Sequence, residues 1–265
     1  MPILSLSHGN LFYSISGAGK PLFFLHGLGG DHSQLPGLIG SIEGFQQICL
    51  DFPSHGQSNP LSRHRFGAFA DLVEALRRHL KIEEPVWLTG MSMGAGTGLR
   101  YAVTYPEQIA GLVLIRPAWL TAPFPENLSV FMKVADLIAE FGPEGGLKRW
   151  PSTSEYSELA TLSPACAAAI AAQFTRPQAA EASTIIRDIV GDCPVTDWSA
   201  VRQIKVPTLV IKNDGDPIHP EHFGDVLADQ IPGAVCVAVA SRYEAPEQHQ
   251  LDLSREVKGF LESQI

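Results

Sequence analysis

Along the first 116 residues, short continuous apolar runs alternate with stretches that are apolar at every third or fourth position. Residues 21–25 (PLFFL), 47–52 (QICLDF), 85–89 (PVWLT) and 111–115 (GLVLI) are short, mostly apolar runs, the pattern of strands buried on both faces. Residues 11–15, followed by Ser16, Gly17, Ala18 and Gly19, predict one arm of an opening hairpin. Between the runs, Phe66, Phe69, Ala70, Val73, Leu76 and Leu80 fall at helical spacing. A helix of small residues is expected after Gly90, running to about Tyr105 and stopped by Pro106. Strand and helix in alternation predict an α/β fold, a mostly parallel central sheet with helices on both faces.

The rhythm breaks at Arg116 and Pro117. From there to about residue 200 no apolar strand run is readable. Helical stretches are expected instead at 131–141, 163–174 and 177–190, and residues 165–182 hold nine alanines, a composition that favours helix. The segment 117–200 is far longer than an ordinary loop and reads as a helical insert, which leaves 1–116 and 201–265 as the core. The strand pattern resumes at 208–211 (TLVI) and 235–240 (VCVAVA). Helices are expected at 221–230 and 246–263, the second with proline at its first helical position.

Composition narrows the function classes. Of the 265 residues 45% are hydrophobic and 18% charged, enough apolar surface for a core and too little charge for disorder. A net charge of −9 with no basic run excludes the cationic surface that nucleic-acid binding needs. No apolar run is long enough to span a membrane. The start MPILSLSHGN lacks the cationic and apolar regions of a leader, so a cytoplasmic protein is expected. Cys49, Cys166, Cys193 and Cys236 show no metal-ligand spacing and are expected to be small hydrophobes; neither metal nor cofactor is implied.

The chemistry concentrates where strands end. Gly90-Met91-Ser92-Met93-Gly94 follows the run VWLT and opens the small-residue helix. A sharp strand-to-helix turn there would hold Ser92 in strained backbone geometry with Oγ exposed, and side chains at 90 or 94 would collide with the neighbouring strand and helix. The amide of Met93 would lie at a helix N-terminus, where free N–H groups favour an oxyanion. His26-Gly27-Leu28-Gly29-Gly30 follows PLFFL, and its glycines, Gly27 among them, let the backbone approach a ligand closely. Leu28 would supply a second oxyanion donor. His26, and His55 in the turn DFPSHGQS, are expected to be structural. Trp119 is placed at the pocket wall, with core packing as the alternative.

These segments together resemble the α/β-hydrolase superfamily: the loop FLHGLGG, the turn DFPSHGQS, the elbow GMSMG, the acid-bearing TLVIKNDGDPIHP and a last helix ending in Phe260-Leu261, in the family's order from about residue 11 to 262. The resemblance implies a helical cap for 117–200. It places the triad acid five residues past Ile211, at Asp216, with Asp214 a turn residue beside Gly215. The family's histidine stands about 18 residues before the Phe-Leu pair, where this chain has Arg242, so the sequence departs from the pattern there. His249, the one histidine after the last strand, becomes the expected base if the loop 241–245 swings the helix start toward Ser92. His219 and His222 beside the acid loop are expected to be surface or structural, with one of them as base the alternative.

Motifs and resemblance together imply a serine hydrolase, carboxylesterase-like, cleaving a small ester, thioester or lactone through an acyl-enzyme on Ser92, with Asp216 and His249 completing the triad and Leu28 and Met93 the oxyanion hole. Carbon–carbon bond hydrolysis and cofactor-free perhydrolase chemistry keep the same residues. A ligand-binding or signalling protein with little turnover is the alternative from another class. The expected partner is a small-molecule substrate, with neither nucleic acid nor membrane.

Overall fold

The structure, a computed structural model, describes residues 2–6, 9–60 and 63–265. Eight strands form one sheet: β1 (Ile3–Leu6), β2 (Gly9–Gly17), β3 (Lys20–Leu25), β4 (Phe45–Leu50), β5 (Val86–Met91), β6 (Ile109–Ile115), β7 (Thr208–Asn213) and β8 (Val235–Val239). Their spatial order is β1-β2-β4-β3-β5-β6-β7-β8, with β1 and β2 antiparallel at one edge and every pair from β4 to β8 parallel. The opening hairpin therefore differs from the expectation. The turn after β2 leads to β3, but β2 pairs with β1 and β4 instead, because β4 comes to lie between β2 and β3.

Helices fill the crossovers, α1 (Gln34–Ile39), α2 (Phe66–His79), α3 (Met93–Thr104) and α9 (Glu221–Gln230), and α10 (Pro246–Glu262) follows β8. Between β6 and β7 the regular elements are helical: α4 (Ser129–Arg149), α5 (Ser154–Leu162), α6 (Pro164–Ile170), α7 (Ala172–Thr175) and α8 (Ala182–Val190), with short 3-10 turns. α4 breaks at Gly142, whose φ of 69° and ψ of 172° leave the helical region just before Pro143.

Both sheet faces are covered, which explains the uninterrupted apolar strands. Alternate residues of β3 point to opposite sides: Phe23 and Leu25 join the core beneath α2 and α3, while Leu22 and Phe24 pack with Leu35 and Ile39 of α1 and Leu253 and Val257 of α10. On β6, Leu112 and Leu114 divide from Val113 and Ile115 in the same way. β4 follows β3 outward on one side and β5 then returns to its other side, so the order of strands reverses between β3 and β5. A crevice opens at such a reversal beyond the carboxyl ends of the strands. The loops after β3, β5, β6, β7 and β8 all reach it.

Candidate active site

The turn after β5 forces Ser92 to φ 52° and ψ −111°, strained for a residue with a Cβ. The flanking glycines make the turn possible. A Cβ on Gly90 would lie 2.1 Å from the carbonyl oxygen of Gly94, and one on Gly94 would lie 1.9 Å from that of Leu25. The elbow is thus packed backbone against backbone, and α3 begins immediately after the serine. Met93 is its first residue, so the Met93 N–H has no acceptor inside the helix.

His219 faces Ser92. Its Nε2 lies 3.0 Å from Ser92 Oγ and its Nδ1 2.8 Å from Asp216 Oδ2. An ionised carboxylate only accepts, so Nδ1–H donates to Asp216 and Nε2 is left to accept from the hydroxyl. The other Asp216 oxygen accepts from the amide of Ile218 at 3.1 Å. Burial opposes ionisation of Asp216, but the charge and hydrogen bond of His219, together with Arg116 and Arg242, outweigh it and hold the carboxyl well below its usual range. For His219, burial pushes the imidazole below its ordinary value against the upward pull of Asp216, and the two arginines add to the lowering. The ring is neutral near pH 7.

His249 is elsewhere. Its Nδ1 lies 2.7 Å from the Ala240 carbonyl, which takes its N–H, and its Nε2 is buried with no partner among the described residues. The loop 241–245 closes as a tight turn, Ala245 N–H to Ser241 O at 3.0 Å, so α10 starts beside β8 and is not swung toward the serine. This corrects the expected base: the geometry at Ser92 belongs to His219. The signal was present as an aspartate and a histidine three residues apart in DPIH, a spacing that lets one tight loop close an Asp–His pair. Arg242, standing where the resemblance would put a histidine, lines the Ser92 cavity. Asp214 is exposed beside Gly215, away from the pair.

The HG loop is braced from below by two neutral histidines. His26 Nδ1–H donates to Gly27 O at 2.8 Å and its Nε2 accepts from Phe52 N–H at 2.9 Å; burial pushes its pKa down to about 4. His55 accepts from Gly29 N–H at 2.9 Å and donates to Pro53 O. Gly27 N–H donates to Gln34 Oε1, and Gly30 N–H to Gly27 O. Within the loop 27–30 the amides of Gly27, Gly29 and Gly30 are therefore engaged, which leaves that of Leu28.

The cavity over Ser92 has a volume of about 190 Å³. Gly27 and Leu28 border it from the loop after β3, and Trp119, Phe131, Ile170 and Gln173 from the stretch between β6 and β7. The indole N–H of Trp119 is buried with no partner among the described residues. Among the described residues no group of three or more His, Cys, Asp or Glu is arranged to hold a metal ion. The four cysteines are unpaired, Cys49 and Cys166 buried and Cys193 and Cys236 partly exposed. No helix of the described residues is long and apolar enough to cross a membrane.

The α/β-hydrolase fold family model matches residues 20–243, so the chain belongs to the α/β-hydrolase family and is a hydrolase by class. Among curated proteins it is 24% identical to Lipase 1 of Psychrobacter immobilis, over 94% of this chain and 80% of the lipase. It is 23% identical to Lipase 3 of Moraxella sp. (strain TA144), over 91% and 77%. Solved structures with the same fold include an esterase from Thermogutta terrifontis with malate bound (TM-score 0.75, 20% identity, 96% of this chain and 94% of that one). The enol-lactonase from Burkholderia xenovorans LB400 is a second (TM-score 0.72, 22% identity, 98% and 100%).

Proposed function

We propose that the protein is a serine hydrolase that cleaves a small ester, thioester or lactone through an acyl-enzyme on Ser92, with His219 as base and Asp216 as the acid that orients it. The observation that carries this reading is the unbroken chain from Ser92 Oγ through both nitrogens of His219 to Asp216, at 3.0 and 2.8 Å. Lipases and esterases among the similar proteins agree with ester chemistry.

Ser92 Oγ attacks the carbonyl carbon while its proton passes to His219 Nε2. The tetrahedral oxyanion is held by the amides of Leu28 and Met93. As the intermediate collapses, the carbon–leaving-group bond breaks and His219 Nε2–H protonates the departing oxygen or sulfur. Water then gives a proton to the same nitrogen and attacks the acyl carbon; as this second intermediate collapses, the bond from the acyl carbon to Ser92 Oγ breaks, His219 Nε2–H returns its proton to Oγ, and the acid leaves. Asp216 stays ionised throughout, keeps the ring in the Nδ1–H tautomer and stabilises the imidazolium. The helices of 117–200 act as a cap, with Phe131, Ile170 and Gln173 limiting the size of what enters.

Labelling by a fluorophosphonate and hydrolysis of p-nitrophenyl butyrate test the reading. Both are expected in the native chain, with the label on Ser92, and both should vanish in Ser92→Ala. Unchanged hydrolysis in that variant overturns the assignment.

A further inference from the structure

The cavity over Ser92 contains two guanidinium groups that triad chemistry does not use. Arg116 follows β6 directly, with φ 49°, and is only 5% exposed. Its side chain has one partner among the described residues, the thioether sulfur of Met91 at 2.6 Å from a terminal nitrogen, and its Nε has none. Among the described residues no carboxylate lies within 4 Å of it. A buried arginine is ordinarily paired, because an ion moved out of water without a counter-charge loses several kcal/mol. Arg242, after β8, lines the same cavity, again without a described carboxylate within 4 Å, and lies over the ring of Tyr243 at 4.7 Å. Asp216 is the acidic group whose charge both arginines feel, and its oxygens are held by His219 and the Ile218 amide. With His219 neutral, the cavity carries two positive charges against one negative.

Burial and the charge of Arg242 push Arg116 down to about 10, so the Arg116 guanidinium stays charged at neutral pH, and the two arginines repel each other. Such an arrangement costs stability in the folded protein and gains a use when an anion bridges it. Arg176 makes the contrast: it too is buried with orphaned nitrogens, but it donates to the Ser54 and Pro177 carbonyls and lies outside the Ser92 cavity.

We propose that the substrate carries a carboxylate remote from the scissile bond, held by Arg116 and Arg242, so that the preferred substrates are half-esters of dicarboxylic acids or lactones bearing a carboxylate. The proposal deepens the ester-hydrolase reading and rests on it for the bond cleaved. The planar guanidinium fork matches a carboxylate in two parallel hydrogen bonds, and at the buried Arg116 these are stronger than at a surface. The second charge sets orientation: with the carboxylate anchored, the ester carbonyl of a chain of suitable length reaches Ser92.

The test compares monomethyl and dimethyl esters of succinate, glutarate and adipate. The native protein is expected to favour the best half-ester over its diester by at least tenfold in kcat/KM. Arg242→Gln and Arg116→Gln should cut that ratio at least tenfold, while Arg255→Gln, an exposed arginine on α10 paired with Asp252 and Glu256, should leave it unchanged. Should Arg116→Gln not fold, Arg242→Gln alone decides. Calorimetric binding of the half-ester to Ser92→Ala supplies a readout without turnover, and it should be lost when Arg242→Gln is added. If no ester is hydrolysed but this binding and its loss are seen, the anion site stands and the hydrolase reading fails. Equal kcat/KM for half-ester and diester, or a ratio unmoved by Arg242→Gln, overturns the site. Preference for a phosphate-bearing ester of equal length overturns the carboxylate assignment.

Discussion

Replacing each of two histidines by alanine separates the two ways of completing the triad. His219 bridges Ser92 and Asp216 at 3.0 and 2.8 Å, both within proton-transfer reach, so His219→Ala removes the proposed base and leaves a buried carboxylate with one hydrogen bond. General-base catalysis is worth roughly 10²–10⁴-fold, and the unit fails together when a member is lost, so kcat should fall by about 10⁴, or about 5 kcal/mol. His249→Ala loses the hydrogen bond to the Ala240 carbonyl, about 1 kcal/mol of stability, and should leave kcat/KM within about threefold of the native value. Initial rates with p-nitrophenyl butyrate and the rate of fluorophosphonate labelling measure both effects, with circular dichroism to confirm that each variant folds. The assignment is refuted if His249→Ala loses activity as His219→Ala is expected to, or if His219→Ala retains more than about a tenth of native kcat.

Three further outcomes are expected. Gly94→Ala puts a Cβ 1.9 Å from the Leu25 carbonyl oxygen, a clash only backbone movement relieves, so it should cost about 3 kcal/mol or more and lower Tm by about 6–12 °C in a thermal melt; an unchanged Tm would show the elbow to be loosely packed. Because His219 must be neutral to accept the serine proton and burial lowers its pKa, kcat/KM for a neutral ester should fall on the acid side with a midpoint below the ordinary histidine value of 6.5; a midpoint at or above 6.5 contradicts the burial argument. His26, at about 4 when folded against 6.5 in the unfolded chain, binds its proton preferentially in the unfolded state between those values. Its contribution is therefore full above pH 6.5 and lost as pH falls toward 4, about 3 kcal/mol in all, and urea titrations of His26→Gln at pH 6.5 and 4.5 should show a shallower pH dependence than the native chain.

Much of the site is legible in the chain itself. The strands declare themselves because both faces of the sheet are covered, so residues 21–25 and 111–115 have to be apolar throughout. The elbow is readable because its glycines answer to a local constraint, a Cβ at 90 or 94 having no room in a strand-to-helix turn. Two features near the edges are harder. α1 and α5 carry weak patterns, and the partner of β2 depends on where β4 inserts, a long-range choice that the turn sequence at 16–19 does not encode.

Sequence order alone determined that Ser92 opens α3 after β5 and that Asp216 and His219 share the loop after β7, since strand runs, helix starts and turn residues are written locally. Which histidine meets the serine was decided only by the tertiary structure. Chain order admits both His219 and His249, but α10 docks with His249 tied to the Ala240 carbonyl, while the loop after β7 turns His219 between Asp216 and Ser92. The same packing brings Arg116 and Arg242, 126 positions apart, to one cavity, near enough for the charge of Asp216 to be felt by both. A charge balance of that kind belongs to no segment of the chain, because it arises when separate loops converge at the ends of the strands.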